Sequence, residues 1–121
     1  MSEALTAPPG GARPAERLRA EPPAYAALDL GTNNCRLLIA SPTPRGFRIV
    51  EAYSRIVRLG EGLTASGRLS DDAMERSLAA LKVCADKVRR RRVVRVRAIA
   101  TQACRMAENG PAFVRRVAEE T

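Results

Sequence analysis

Blocks of alternating and clustered apolar positions predict three strands in the first half of the chain. Two apolar runs of strand length, residues 25–30 and 35–40, flank the polar tetrad 31–34, and this pattern predicts a β-hairpin. Residues 41–46 contain two prolines and a glycine and predict a loop. Residues 47–53 alternate loosely and predict a third strand, so the three strands together predict an antiparallel meander.

Apolar spacings of three and four residues predict a long helix over residues 70–90. Before it, residues 54–69 contain three glycines and predict a long connection that can begin with a short strand. Ser70 is a good N-cap, and the two aspartates after it favour a helix N-terminus through the dipole. The basic run of residues 89–92 ends the helix, where positive charge complements the dipole. The predicted buried stripe consists of Met74, Leu78, Leu81, Ala85 and Val88.

The end of the chain predicts one more strand and one more helix. Residues 93–100 predict a strand that follows a helix, which is consistent with a parallel crossover into the same sheet. Thr101 ends this strand and can cap a short helical turn over residues 102–107. Residues 110–120 predict a last helix, with Asn109 as its cap and a proline in its first turn.

Composition indicates one aliphatic domain with a basic surface. Of 121 residues, 45% are hydrophobic but only 3% are aromatic, so Leu, Val, Ile and Ala must build the core. The formal net charge of +8 suggests an anionic partner. Residues 1–24 are rich in proline, alanine and glycine and predict a flexible leader before a domain over residues 25–121. The absence of a long apolar run and of a signal-like N-terminus predicts a cytoplasmic protein.

The cysteine and histidine content argues against some kinds of metal and catalytic site. Cys35, Cys84 and Cys104 are widely spaced in apolar segments, which predicts reduced, buried thiols. The chain has no histidine and no Cys-x-x-Cys pair, and this argues against a zinc site. Acid–base chemistry must therefore come from carboxylates.

Asp29 and Arg36 flank the polar tetrad at the adjacent ends of two predicted strands. Amides in such a turn can point together and bind a phosphate, and Arg36 adds charge-assisted hydrogen bonds. Asp29 could orient water or hold Mg²⁺, which prefers carboxylate and water oxygens together with substrate phosphate. The alternative interpretation is an ordinary hairpin with an aspartate at its bend.

Arginines elsewhere in the chain are further candidate anion contacts. Arg55 and Arg58 lie in or near the long connection, although a solvated role is the plainer interpretation for Arg55. Arg105 follows the strand over residues 93–100, and α/β sheets bind ligands at the carboxyl ends of their strands. The basic run 89–92 lacks the interleaved aromatic residues that nucleic-acid readers use, so a solvated helix end is the plainer interpretation there.

Three segments resemble one protein family. Asp-Leu-Gly-Thr-Asn-Asn-Cys-Arg-Leu-Leu-Ile, starting at Asp29, resembles the first phosphate motif of the exopolyphosphatase / guanosine pentaphosphate phosphohydrolase family. Arg-Leu-Gly-Glu-Gly-Leu from Arg58, with Gly-Arg-Leu-Ser after it, resembles the second landmark of that family. Ala-Thr-Gln-Ala-Cys-Arg-Met-Ala-Glu-Asn-Gly from Ala100 resembles the third. The three occur in the family's order and spacing, with one departure at Asn34, where a serine is commoner.

The resemblance implies an α/β fold of the actin-like, ribonuclease-H-like type, here only as an N-terminal part. Its expected order is a three-strand antiparallel meander, a helix, a parallel strand and a helix. The implied activity is hydrolysis of terminal phosphoanhydride bonds of inorganic polyphosphate, or of the 5′-phosphate of guanosine pentaphosphate, with Mg²⁺. A homodimeric full-length parent is also implied, and neither a membrane nor a nucleic acid is expected as a partner.

The family's functional residues carry over to particular positions of this chain. Asp29 would position water or metal and is the candidate Mg²⁺ ligand, and Arg105 would reach the substrate phosphates as a second catalytic residue. Arg58 would be a further phosphate contact. The implied phosphate loop consists of Gly31, Thr32, Asn33, Asn34 and Arg36. These roles agree with phosphoryl transfer, which needs positioning and charge neutralisation more than covalent chemistry.

The family's catalytic glutamate and its second, glycine-rich phosphate motif normally lie beyond the position of Thr121. We therefore expect the chain to supply the first phosphate loop and to be inactive alone. Two rival interpretations stay open. One is a non-catalytic anion- or nucleic-acid-binding module that uses residues 89–92, and the other is an actin-like kinase lobe, against which the motifs at Arg58 and Arg105 argue.

Overall fold

The computed structural model describes residues 22–121, so most of the predicted leader lies outside the described residues. All four predicted strands and both predicted long helices are present, together with two short helices. In chain order the elements are β1 (Ala24–Leu30), β2 (Asn34–Thr43), β3 (Gly46–Ile56), α1 (Leu63–Ser66), α2 (Asp71–Arg90), β4 (Val93–Ala100), α3 (Gln102–Met106) and α4 (Gly110–Glu120).

The strands form one mixed sheet in the order β3-β2-β1-β4. Strand β1 pairs antiparallel with β2, and β2 pairs antiparallel with β3. Strand β4 does not continue from β3 but joins on the other side of β1, parallel to it. The strand order therefore differs from the chain order, and it places the carboxyl ends of β1 and β4 side by side.

The predicted loop over residues 41–46 is wrong in its extent. Strand β2 continues to Thr43, and only residues 44–45 form the turn to β3. Proline is tolerated because β1 pairs with β2 only as far as Tyr25 opposite Ala40, so Pro42 has β3 alone beside it. Strand β3 likewise runs to Ile56, which shortens the predicted long connection.

One face of the sheet packs against helix α2. Alternate residues of β1 and β2 point to this face and form the core with Leu69 and Phe113: Ala24, Ala26, Leu30, Cys35, Leu37 and Ile39. Ser70 caps α2 as predicted, because its hydroxyl accepts a hydrogen bond from the Ala73 amide at 3.1 Å. None of the helices in residues 22–121 is long and apolar enough to cross a membrane.

The buried face of α2 differs from the predicted stripe. Leu78 and Leu81 are buried as expected, but Met74, Ala85 and Val88 are only half-buried. The residues at the centre of the contact with the sheet are small: Ala73, Ser77, Ala80 and Cys84. A count of large apolar residues misses such a face, because small side chains carry little weight in a periodicity.

All three cysteines are buried free thiols, as predicted. The sulphur atoms of Cys35 and Cys84 lie 3.9 Å apart across the contact between β2 and α2. The hydrogen bond with Cys84, together with burial, raises the pKa of the Cys35 thiol. Burial also raises the pKa of Cys104. Cys35 and Cys104 are therefore core residues held in the neutral thiol form.

Candidate anion-binding site

The turn over residues 31–34 joins β1 to β2, and the carbonyl groups of Thr32 and Asn33 point toward one neighbouring loop. Gly60 donates its amide to the Thr32 oxygen at 3.1 Å, and Val57 and Arg58 donate theirs to the Asn33 oxygen at 2.7 and 3.0 Å. In a planar trans peptide the next amide points opposite to the carbonyl. The amides of Asn33 and Asn34 therefore point away from that loop, toward the open side of the turn.

The Asn33 amide, which points away from the loop, is available to a ligand. Within residues 22–121, no backbone or side-chain acceptor is found for the amides of Thr32 and Asn33. Successive backbone amides in a turn can form a small concave site that binds anions. The turn itself is closed by the Gly31 amide, which donates to the Asn34 oxygen at 2.8 Å.

The neighbouring loop, residues 57–62, packs tightly on the turn. Val57 and Leu59 are fully buried and fix its position against the core. A Cβ atom on Gly60 would lie 2.4 Å from Cγ2 of Thr32, so only glycine fits there without a shift. Arg58 adopts a left-handed backbone with φ of 48°, and its side chain is exposed.

A third segment, the junction of β4 and α3, reaches the same turn. The Thr101 amide donates to the Leu30 oxygen at 2.7 Å, and the Thr101 and Thr32 hydroxyls lie 2.7 Å apart. The Thr101 hydroxyl also caps α3 as predicted, accepting from the Ala103 amide at 3.4 Å. Arg105 is exposed beside this junction and donates to the Ala100 oxygen at 3.2 Å. Three segments distant in sequence thus meet at one rim.

Asp29 and Arg36 lie next to the turn, on the sheet face opposite α2. They are directly paired across β1 and β2, and both are exposed. A cavity of about 730 Å³ covers this part of the sheet. Its lining includes Asp29, Arg36, Leu38, Ser54, Arg97 and Ile99. The cavity joins a carboxylate, two guanidinium groups and an apolar floor.

A sequence model of the Ppx/GppA phosphatase family matches residues 38–121. The chain belongs to this family. The crystal structure of the Aquifex aeolicus Ppx/GppA family member is 34% identical with a TM-score of 0.77, covering 81% of this chain and 32% of that chain. An exopolyphosphatase from Cytophaga hutchinsonii is 29% identical with a TM-score of 0.75, covering 80% and 31%.

This Ppx/GppA chain spans about a third of the length of these solved structures, as expected for an N-terminal part. Of the predicted site residues, Arg58 and Arg105 lie inside the range that the family model matches. Asp29, Arg36 and the turn residues precede it.

The structure brings most of the predicted site residues together. The three converging segments contain the turn residues, Arg58 and Arg105. Asp29 and Arg36 lie next to the turn, on the adjacent ends of β1 and β2. Arg55 stands apart: its guanidinium lies 5.8 Å from the centre of the Tyr53 ring. Ion pairs occupy half of the basic run at the end of α2, since Arg90 pairs with Asp86 at 2.8 Å and Arg91 with Glu51 at 2.9 Å.

Sequence reasoning missed the residues that hold the site's segments in place. Asn109 begins α4 but makes no side-chain cap, contrary to prediction. Its side-chain oxygen accepts from the Leu69 amide at 2.8 Å, and its side-chain amide donates to the Leu69 oxygen at 2.9 Å. Arg97, in the cavity, and Arg76, beneath the loop 57–62, were also missed. Nothing in the apolar pattern signals these contacts, because each joins residues distant in sequence.

Asp29 is the residue on which a Mg²⁺ site in this region would depend. The described residues contain no group of three or more His, Cys, Asp or Glu side chains arranged to hold a metal ion. A Mg²⁺ ion, however, is commonly bound by one or two carboxylates, with waters and substrate phosphates completing its shell. A single exposed carboxylate beside a turn with available amides fits this mode of binding.

Proposed function

We propose that this Ppx/GppA chain supplies the first phosphate-binding loop of a phosphoanhydride hydrolase with an actin-like fold. The substrates proposed are the terminal phosphates of inorganic polyphosphate, or the 5′-phosphate of guanosine pentaphosphate. The main support is the turn of residues 31–34, where the loop binds the Thr32 and Asn33 carbonyls and the Asn33 amide points away from it without an internal acceptor. A cytoplasmic location and a homodimeric full-length parent are part of the same proposal.

Each part of the site has a role in this proposal. The amides of Thr32 and Asn33 bind a phosphate, and the Thr32 hydroxyl adds a polar contact. Arg36, from strand β2, and Arg105, from helix α3, neutralise phosphate charge. Charged hydrogen bonds of this kind are stronger than neutral ones, and a planar guanidinium can bind two phosphate oxygens at once.

Asp29 is proposed as the protein ligand for Mg²⁺, which would share its remaining positions between water and phosphate oxygens. Bound there, the ion would neutralise charge on the substrate phosphates. The protein's own contribution is to orient the phosphate group through the turn amides. Arg58 is a weaker candidate contact, because the structure describes a role for its backbone rather than for its side chain.

Titration with tripolyphosphate tests the proposed site. We expect Arg36→Ala to raise the dissociation constant about tenfold or more, since hydrogen bonds to charged groups contribute about 1.5–3 kcal/mol. The matched control is Arg89→Ala, which removes the same charge from the exposed end of α2. A solvated, screened charge contributes little, so this variant should bind nearly as wild type.

The rival module that uses residues 89–92 predicts the opposite ranking. Repeating both titrations at two salt concentrations adds a second discriminator, because binding through an unspecific basic patch weakens steeply with salt. A larger loss for Arg89→Ala, together with a steep salt dependence, would contradict the proposed site and support the module.

A further inference from the structure

Helix α2 sends one arginine beneath the loop 57–62. The Arg76 Nε donates to the Val57 oxygen at 2.9 Å, and its Nη2 lies 2.8 Å from Glu61 Oε2 and 3.4 Å from the Arg58 oxygen. The side chain is only 31% exposed. One guanidinium thus bonds three acceptors within one short segment, two at its beginning and one near its end.

This segment also orients two peptide groups of the turn 31–34. Its amides at Val57, Arg58 and Gly60 bond the carbonyls of Asn33 and Thr32. Those carbonyls share their peptide planes with the amides of Asn34 and Asn33, so fixing the carbonyls fixes the amides on the opposite side. The contacts run from the guanidinium to the loop, from the loop to the turn carbonyls, and from the Thr32 carbonyl to the Asn33 amide, which binds the phosphate in the proposed function.

We propose that Arg76 and Glu61 are positioning residues that preorganise the turn 31–34 for a polyphosphate ligand. The inference rests on the proposed function, because it deepens the account of the same site. Neither side chain needs to touch the ligand. Arg76 uses three of its donors on the loop, and Glu61 neutralises its charge at 2.8 Å. Their effect is a lower reorganisation cost when the phosphate binds.

Three variants separate positioning from charge. Arg76→Gln removes both the charge and the forked donor, whereas Arg76→Lys keeps the charge but cannot reproduce the planar fork. Arg90→Gln is the matched control, since Arg90 is also an ion-paired arginine on α2, with Asp86 at 2.8 Å. It lies about 20 Å further along the helix at 1.5 Å per residue.

The whole 121-residue chain is titrated with tripolyphosphate at fixed salt, and amide hydrogen exchange is measured without ligand. We expect both Arg76 variants to raise the dissociation constant about two- to thirtyfold, the usual range for coupling through packed contacts. Exchange of the Val57, Arg58 and Gly60 amides should accelerate, while exchange in the middle of α2 stays as in wild type. Arg90→Gln should change neither quantity.

The outcomes are distinguishable. Absence of tripolyphosphate binding by the wild-type chain overturns the proposed function, and the positioning role falls with it. Normal binding by wild type and by both Arg76 variants overturns the positioning role alone. Wild-type affinity in Arg76→Lys with a loss in Arg76→Gln assigns the effect to charge and also overturns it. Faster exchange throughout α2 would show general destabilisation instead of a local contact.

Discussion

At the scale of single residues, Gly60 provides the sharpest test of how the loop 57–62 meets the turn. A Cβ at this position would lie 2.4 Å from Thr32 Cγ2, whereas the next atom, Thr32 Cβ, is 3.8 Å away. Thr32 can avoid this clash by rotating its side chain, but the rotation would move its hydroxyl away from the hydroxyl of Thr101 and break their hydrogen bond. We expect Gly60→Ala to lower the free energy of unfolding by about 1–3 kcal/mol, the usual cost of overpacking.

Thr32→Ser removes the clashing methyl group and keeps the hydroxyl. The double variant Thr32→Ser/Gly60→Ala should therefore recover most of the stability lost by Gly60→Ala. Urea unfolding of the two single variants and the double variant measures this coupling. Equal losses for Gly60→Ala with threonine and with serine at position 32 would contradict the contact.

Glu51 predicts a defined pH dependence of stability. Hydrogen bonds from Lys87 and Arg91 lower the pKa of this carboxyl from its ordinary 4.5 to about 2. Because the folded pKa is lowered, the carboxylate stabilises the fold above pH 4.5 and loses this effect as the pH falls from 4.5 toward 2. Glu51→Gln should thus unfold at a lower urea concentration than wild type near pH 7, and at a similar one near pH 2. A difference that stays constant over this range would contradict the role of the carboxylate.

At the scale of elements, the small residues of α2 define how closely this helix meets the sheet. Ala80 is fully buried at the centre of the contact, whereas its neighbour Ala79 is exposed. Ala80→Leu should lower the free energy of unfolding by about 1–3 kcal/mol, because a tightly packed interior cannot accept the added volume. Ala79→Leu is the matched control with the same change in helix propensity, and it should have little effect. Similar losses in the two variants would contradict the observed orientation of α2.

The presence of these elements was easier to predict from the sequence than the residues at which they end and the side that each buries. Hairpin, crossover strand and helices follow from local apolar spacing, which acts over a few residues. The continuation of β2 past Pro42 depends instead on where β1 stops pairing, and that is a property of the assembled sheet. The orientation of α2 depends in the same way on Ser77 and Ala80, which no apolar stripe identifies.

In the candidate site, too, features formed by neighbouring residues could be predicted and contacts between distant residues could not. Its turn, with Asp29 and Arg36 beside it, is visible in the sequence because those residues are neighbours along the chain. Arg76 bonds Val57, 19 positions earlier, and Asn109 bonds Leu69, 40 positions earlier. Such contacts carry no local pattern, so the residues that hold a site in place are harder to predict than those that form it.

At the scale of the whole molecule, the described residues assemble the proposed phosphate site with few groups that could act as an acid or a base. One carboxylate, Asp29, lies next to the turn, and a second, Glu61, lies in the loop 57–62 that bonds the turn. Asp29 is the proposed ligand for Mg²⁺, and Glu61 is engaged by Arg76 at 2.8 Å. The chain contains no histidine. A general base typically contributes a factor of about 10²–10⁴ to the rate, and neither carboxylate is free for that role.

We therefore predict that this chain binds tripolyphosphate but releases phosphate from it negligibly. Binding alone stabilises the ground state, whereas rate requires interactions that strengthen in the transition state. The measurement is phosphate release with Mg²⁺, using the Cytophaga hutchinsonii exopolyphosphatase, of which this chain covers 31%, as the positive control. Asp29→Ala serves as the negative control, and wild type should not exceed it. Sustained turnover by wild type that Asp29→Ala abolishes would show that these 121 residues hold a complete catalytic site, with Asp29 as an essential part of it.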